Sequence, residues 1–77
     1  MNPPLPTVSG AKTVNVLESR FGFKWIHQRG SHVKLRKIVG GRKLTVIVPL
    51  TNELADGTLL NILGMACISK DDFVAAL

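Results

Sequence analysis

Two stretches of the chain alternate between apolar and polar positions, broken only at Ile47. In the first, Val33 and Leu35 alternate with His32, Lys34 and Arg36; in the second, Leu44, Val46 and Val48 alternate with Lys43, Thr45 and Ile47. A period of two is the signature of a half-buried strand. Paired glycine-bearing dipeptides, Gly30-Ser31 and Gly40-Gly41, bracket the first stretch. Such dipeptides accept the positive φ of tight two-residue hairpins. The pattern therefore predicts three antiparallel strands, about Phe23–Arg29, His32–Ile38 and Arg42–Val48.

The two turns also fix a register. Arg29 is expected opposite His32, His27 opposite Lys34 and Trp25 opposite Arg36. In the second hairpin Val33 meets Val48, Leu35 meets Val46 and Lys37 meets Leu44. One face then carries Ile26, Val33, Leu35, Leu44, Val46 and Val48. The other carries Trp25, His27, Arg29, His32, Lys34, Arg36, Lys43 and Ile47. A slip of one residue would exchange the two sets.

Helical periodicity flanks the strands. Val14, Leu17 and Phe21 recur at helical spacing after Ser9, a suitable N-cap, and before Gly22, a suitable stop. This predicts a helix over about Gly10–Arg20. Leu59, Ile62, Leu63 and Ala66 form an i, i+3, i+4, i+7 stripe, with Asp56 as the expected cap. Ser69 and Asp72 resemble a capping box that opens a short last helix ending in Phe73, Val74 and Leu77. Residues 1–8 contain Pro3, Pro4 and Pro6 and read as an extended arm, with residues 9–77 forming one domain. The expected fold is α+β, with a three-stranded antiparallel sheet, helices on one face and the order α-β-β-β-α-α. That is the topology of a double-stranded-RNA-binding domain.

Charge sharpens the picture. The chain has 77 residues, 45% of them hydrophobic and 19% charged, values of a globular domain. Its net charge is +5, which suits a polyanionic partner such as nucleic acid, or an acidic protein. No acid lies between Ser19 and Asn52, whereas Arg20, Lys24, Arg29, Lys34, Arg36, Lys37, Arg42 and Lys43 do. Cys67 is the only cysteine, which excludes an internal disulfide, and no Cys/His set has zinc spacing. Its neighbours Ala66 and Ile68 suggest a core position. No run approaches the ~20 apolar residues of a membrane span, and no basic-then-apolar leader is present. The chain reads as soluble and cytoplasmic.

Within the basic stretch, Gly30-Ser31-His32 joins a tight turn to a residue type that exchanges protons near neutral pH. Larger matches extend beyond it. Gly30-Ser31-His32 with its alternating strand, Val46-Ile47-Val48-Pro49, Asn52-Glu53-Leu54, Gly57-Thr58-Leu59, Ile62-Leu63, and Ala66 with Ile68-Ser69 together resemble the HicA toxin family, over roughly Ser9 to Phe73. The resemblance implies a small mRNA interferase with a dsRBD-like fold, a HicB-type antitoxin encoded beside it, and no metal or cofactor. It also implies that His32 is required for RNA cleavage. Cys67 departs from the family, which usually has glycine after the alanine; the change should affect only a helix–helix turn.

RNA carries its own nucleophile, the 2′-OH. A protein that moves its proton, protonates the leaving 5′-oxygen and screens the phosphate can therefore cleave it without a cofactor. His32 is the candidate acid or base. Gly30 lets the backbone approach a phosphate, Ser31 can donate to a phosphate oxygen, and Arg29 lies across the turn. Lys34 and Arg36 follow His32 on one face at steps of about 6–7 Å, near the spacing of successive phosphates. Trp25 can stack a base, or equally pack at the sheet edge or under the arm. His27 is a solvated strand residue or a second acid/base group. Glu53 and Asp56 suit loop and cap roles. Two other functions fit the same features: a non-catalytic RNA-binding module of dsRBD type, and a subunit that docks an acidic protein.

Overall fold

The computed structural model describes residues 4–77. Its elements are α1 (Gly10–Phe21), β1 (Lys24–Arg29), β2 (His32–Val39), β3 (Arg42–Pro49), α2 (Asp56–Ala66) and α3 (Lys70–Ala75). The strands form one antiparallel sheet in the order β1-β2-β3. The order α-β-β-β-α-α and the open sheet make this an α+β, dsRBD-like fold, as expected. No helix among the described residues is long and apolar enough to cross a membrane.

Both turns have the geometry their glycines allow. Gly30 has φ 58°, and Gly40 and Gly41 have φ 56° and 79°. Two-residue loops of positive φ match the right-handed twist of the strands they join. The β2–β3 register is as expected: Val33 opposite Val48, Leu35 opposite Val46, Lys37 opposite Leu44. The inner face of this pair is fully withdrawn from solvent at Val33, Leu35, Val46 and Val48. Leu17, Leu59, Ile62, Leu63, Ala66 and Phe73 cover it from the helical side.

The β1–β2 register departs from expectation at one point. Arg29 meets His32 and His27 meets Lys34, as expected, but a bulge lies between Trp25 and His27. Trp25 therefore pairs with Leu35 and Lys24 with Arg36. The extra residue is Ile26, which is exposed and shares a shallow concavity with Lys24, Arg36 and Ile38. The expected places of Trp25 and Ile26 are thus exchanged. One inserted residue flips every side chain before it on the strand, which is the physical reason for the correction.

Helix ends follow local chemistry. Ser9 Oγ accepts from Lys12 N at 3.0 Å, and Ser69 Oγ from Asp72 N at 3.0 Å. Gly22 ends α1 in the left-handed region. The cap of α2 is not Asp56: Ala55 takes that position without a side-chain bond, and Asp56 is the first helical residue. There its charge still faces the positive end of the helix dipole. Cys67 is also corrected. It is exposed and stands just past α2 at φ 57°, as the left-handed cap. The helical stripe ends at Ala66, so an apolar neighbourhood in sequence does not carry Cys67 into the core.

The N-terminal segment is tied to the loop after β3. Of the expected arm, residues 1–3 lie outside the described residues. Leu5 packs partly against the core and Val8 is buried in it. Leu54 N donates to the Val8 carbonyl at 2.8 Å, and Gly10 N to the Thr51 carbonyl at 2.9 Å. A Cβ at Gly10 would fall on the Pro49 carbonyl oxygen, so only glycine permits this approach. Thr13 is fully buried, its hydroxyl donating to the Ser9 carbonyl at 3.0 Å.

Two stability changes test this packing. Leu35→Ala should cost about 2–5 kcal/mol, because a fully buried side chain leaves a cavity between sheet and helices. Cys67→Gly should add about 1 kcal/mol by relieving a left-handed conformation that β-carbons disfavour. Urea unfolding of both variants measures the two shifts; an unchanged midpoint for Leu35→Ala contradicts the core assignment.

Candidate functional site

The outer face of the sheet, away from the helices, is set by the inner one. Because Val33 and Leu35 point inward, His32, Lys34 and Arg36 point outward. Their paired residues share that face. The pairing gives Arg29, His32 and Pro49 in one row, His27, Lys34 and Ile47 in the next, and Lys24, Arg36 and Thr45 in a third. Ile38 and Lys43 form the last. No acid is present among these residues, so their positive fields add rather than cancel.

The turn positions the first row. His32 is exposed and opens β2 directly after the Gly30-Ser31 turn. Leu50 N donates to the Ser31 carbonyl at 2.6 Å, which ties the tip of the hairpin to the chain leaving β3. Gln28 Nε2 donates to the Gly30 carbonyl at 2.9 Å. Nothing lies within 4 Å of the place a Cβ would take on Gly30, so the outside of the turn is open to a ligand. Two bonds to successive carbonyls of the turn hold the tip that presents His32.

The cations differ in their freedom. Arg29 is exposed at the end of β1. Lys34 and Arg36 are half-buried along β2. Arg36 Nε donates to Thr45 Oγ1 at 3.3 Å, which orients the guanidinium across the sheet. Lys37 points the other way, to the inner side: its Nζ lies 5.9 Å from the Phe23 ring centre. Its stem covers a buried aromatic while its charge remains near water.

Of the seven expected site residues, Arg29, Gly30, Ser31, His32, Lys34 and Arg36 share one turn and one face. Trp25 does not. The bulge turns it to the helical side, where it lines a shallow groove with Ala11, Val14, Asn15, Glu18 and Leu50. Its side chain remains 45% exposed there. Lys24 and the exposed isoleucines Ile26 and Ile38 take the place on the outer face that Trp25 was expected to hold. Sequence reasoning missed Ile26 because no glycine or proline announces the bulge.

An acid-free cationic sheet face with an exposed histidine at its rim defines a small α+β domain suited to a polyanion. The family described as HicA toxin of bacterial toxin-antitoxin matches residues 10–67, most of the chain, and the protein belongs to that family of toxins. It is accordingly a toxin with a cognate antitoxin. No curated protein and no solved structure gives a match.

Proposed function

We propose that the protein is a metal-independent endoribonuclease that cleaves mRNA in the cytoplasm, with His32 as a general acid or base. The observation that carries this reading is the position of His32: exposed, at the rim of an acid-free cationic face, in a member of the HicA toxin family. Positive charge around the site favours the phosphodiester and the extra negative charge that develops on it during displacement. Gly30 and Ser31 lie against one phosphate, and Arg29 flanks it. Lys34 and Arg36 receive the phosphates that follow along β2. The 2′-OH of the substrate supplies the nucleophile, so the protein needs only to move protons and hold charge.

The cognate antitoxin, of HicB type, inhibits by covering this face rather than by unfolding the toxin. Exposed Ile26, Ile38 and Ile47 among the cations offer apolar contacts within a positive field. An acidic partner would be steered by the charge and held by desolvation of those contacts.

His32→Ala should abolish cleavage of RNA by the purified protein and leave its unfolding midpoint nearly unchanged, since an exposed ring leaves no cavity. A folded variant that still cleaves would remove His32 from the mechanism. If neither protein cleaves but both bind RNA, the non-catalytic binding module is the better description. Replacing Lys34 and Arg36 together with Ala should weaken RNA binding and lower its log–log salt slope by about 1.4 for a single strand. An unchanged slope in a titration by fluorescence anisotropy would take the RNA path off β2.

A further inference from the structure

We propose that His27 is the second proton-transfer group of this reaction, working across β1 and β2 from His32; this rests on the ribonuclease reading above. Cleavage through the 2′-OH requires two proton transfers. One group takes the 2′-OH proton as the 2′-oxygen–phosphorus bond forms. Another gives a proton to the 5′-oxygen as its bond to phosphorus breaks. The products are a 2′,3′-cyclic phosphate and a free 5′-hydroxyl. A single imidazole can do only one of these in one step.

The sheet offers one partner. His27 pairs with Lys34, and Arg29 with His32, so the two histidines are diagonal neighbours on the outer face. Diagonal positions in an antiparallel pair lie about 7–8 Å apart, within reach of aromatic side chains. Two rings at that separation can flank one phosphodiester. Both side chains are exposed. The bulge at Ile26 lies directly before His27 and leaves it on the face of His32 while the strand before it is turned over.

The neighbours of His27 leave little competition. Lys34 stands opposite it, Arg29 follows on its own strand, and Arg36 is its other diagonal. β1 is an edge strand, so no further strand faces it. Lysine and arginine keep their protons at neutral pH. Among the residues of this face, only His27 and His32 are of a type that both gives and takes a proton there. One ring begins neutral and the other charged; the step exchanges their states. Attack of water on the cyclic phosphate runs the same transfers in reverse and restores both.

The test is single-turnover cleavage of an RNA oligonucleotide by the wild type, His27→Ala, His27→Lys and His32→Ala, across the pH range in which imidazole titrates. The wild type should give a bell-shaped profile. His27→Ala should lose about 10²–10⁴-fold in rate and one limb of the bell. It should still bind an uncleavable 2′-deoxy analogue as the wild type does. His27→Lys keeps the charge and should not restore the rate. A substrate with sulfur at the 5′-bridging position has a leaving group that needs no proton, so it should rescue one of the two alanine variants and not the other. Wild-type rate in His27→Ala or His27→Lys, or rescue of neither alanine variant, overturns the pair. If His32→Ala is inactive while His27→Ala is not, His27 alone is wrong. If His32→Ala also cleaves normally, the ribonuclease assignment of this face fails with it.

Discussion

Burial of four side chains on the inner face of β2 and β3 governs the rest of this molecule. Val33, Leu35, Val46 and Val48 are almost wholly withdrawn from water and make the sheet's contact with α1 and α2. Burying such side chains contributes about 1.5–3 kcal/mol each, a large share of the stability open to a small domain. The register that achieves it leaves no freedom to the alternate positions. His32, Lys34 and Arg36 must face outward together. A one-residue slip would put three polar side chains into the core and four apolar ones into water.

The same constraint reaches the hairpin tip through backbone hydrogen bonds. β3 ends at Pro49, and the next residue donates to the Ser31 carbonyl. The residue after that accepts from Gly10 at the start of α1. The tip carrying His32 is thus joined to the loop after β3 and to the first turn of a packed helix. A chemical group held on rigid elements keeps its geometry with less cost than one on a free loop. On our reading, this is how so small a domain presents an exposed imidazole in a defined place.

Most of this was legible in the chain because two turns and an alternating pattern agreed. Gly40-Gly41 set the β2–β3 register and Gly30-Ser31 that of β1 and β2 from His27 to Arg29, and the placement of Ser9, Gly22 and Ser69 at helix ends followed from local hydrogen bonding. What could not be read had no local signal. The bulge at Ile26 exchanges Trp25 and Ile26 and leaves Trp25 beside α1, with no turn residue in the strand to mark it. Gly10 looks like an ordinary first helical residue until Pro49 is seen against it. Cys67 has apolar neighbours, yet the helix ends before it and leaves it in solvent. Phe23, next to a strand that is exposed throughout, is buried because it precedes that strand and meets the core. Of the candidate site, the turn and β2 were legible, and the edge strand β1 only from His27 onward.

The central claim is that RNA is cut through its own 2′-oxygen on the outer face of the sheet. The most direct measurement is the chemistry of the new ends, read by mass spectrometry after cleavage of a defined RNA in the presence of a chelator. The account predicts 5′-hydroxyl termini opposite 2′,3′-cyclic phosphate or the 3′-phosphate that its hydrolysis leaves, and no cleavage where the nucleotide 5′ to the scissile bond is 2′-deoxy. Termini bearing 5′-phosphate and 3′-hydroxyl, or cutting at the 2′-deoxy position, would contradict it.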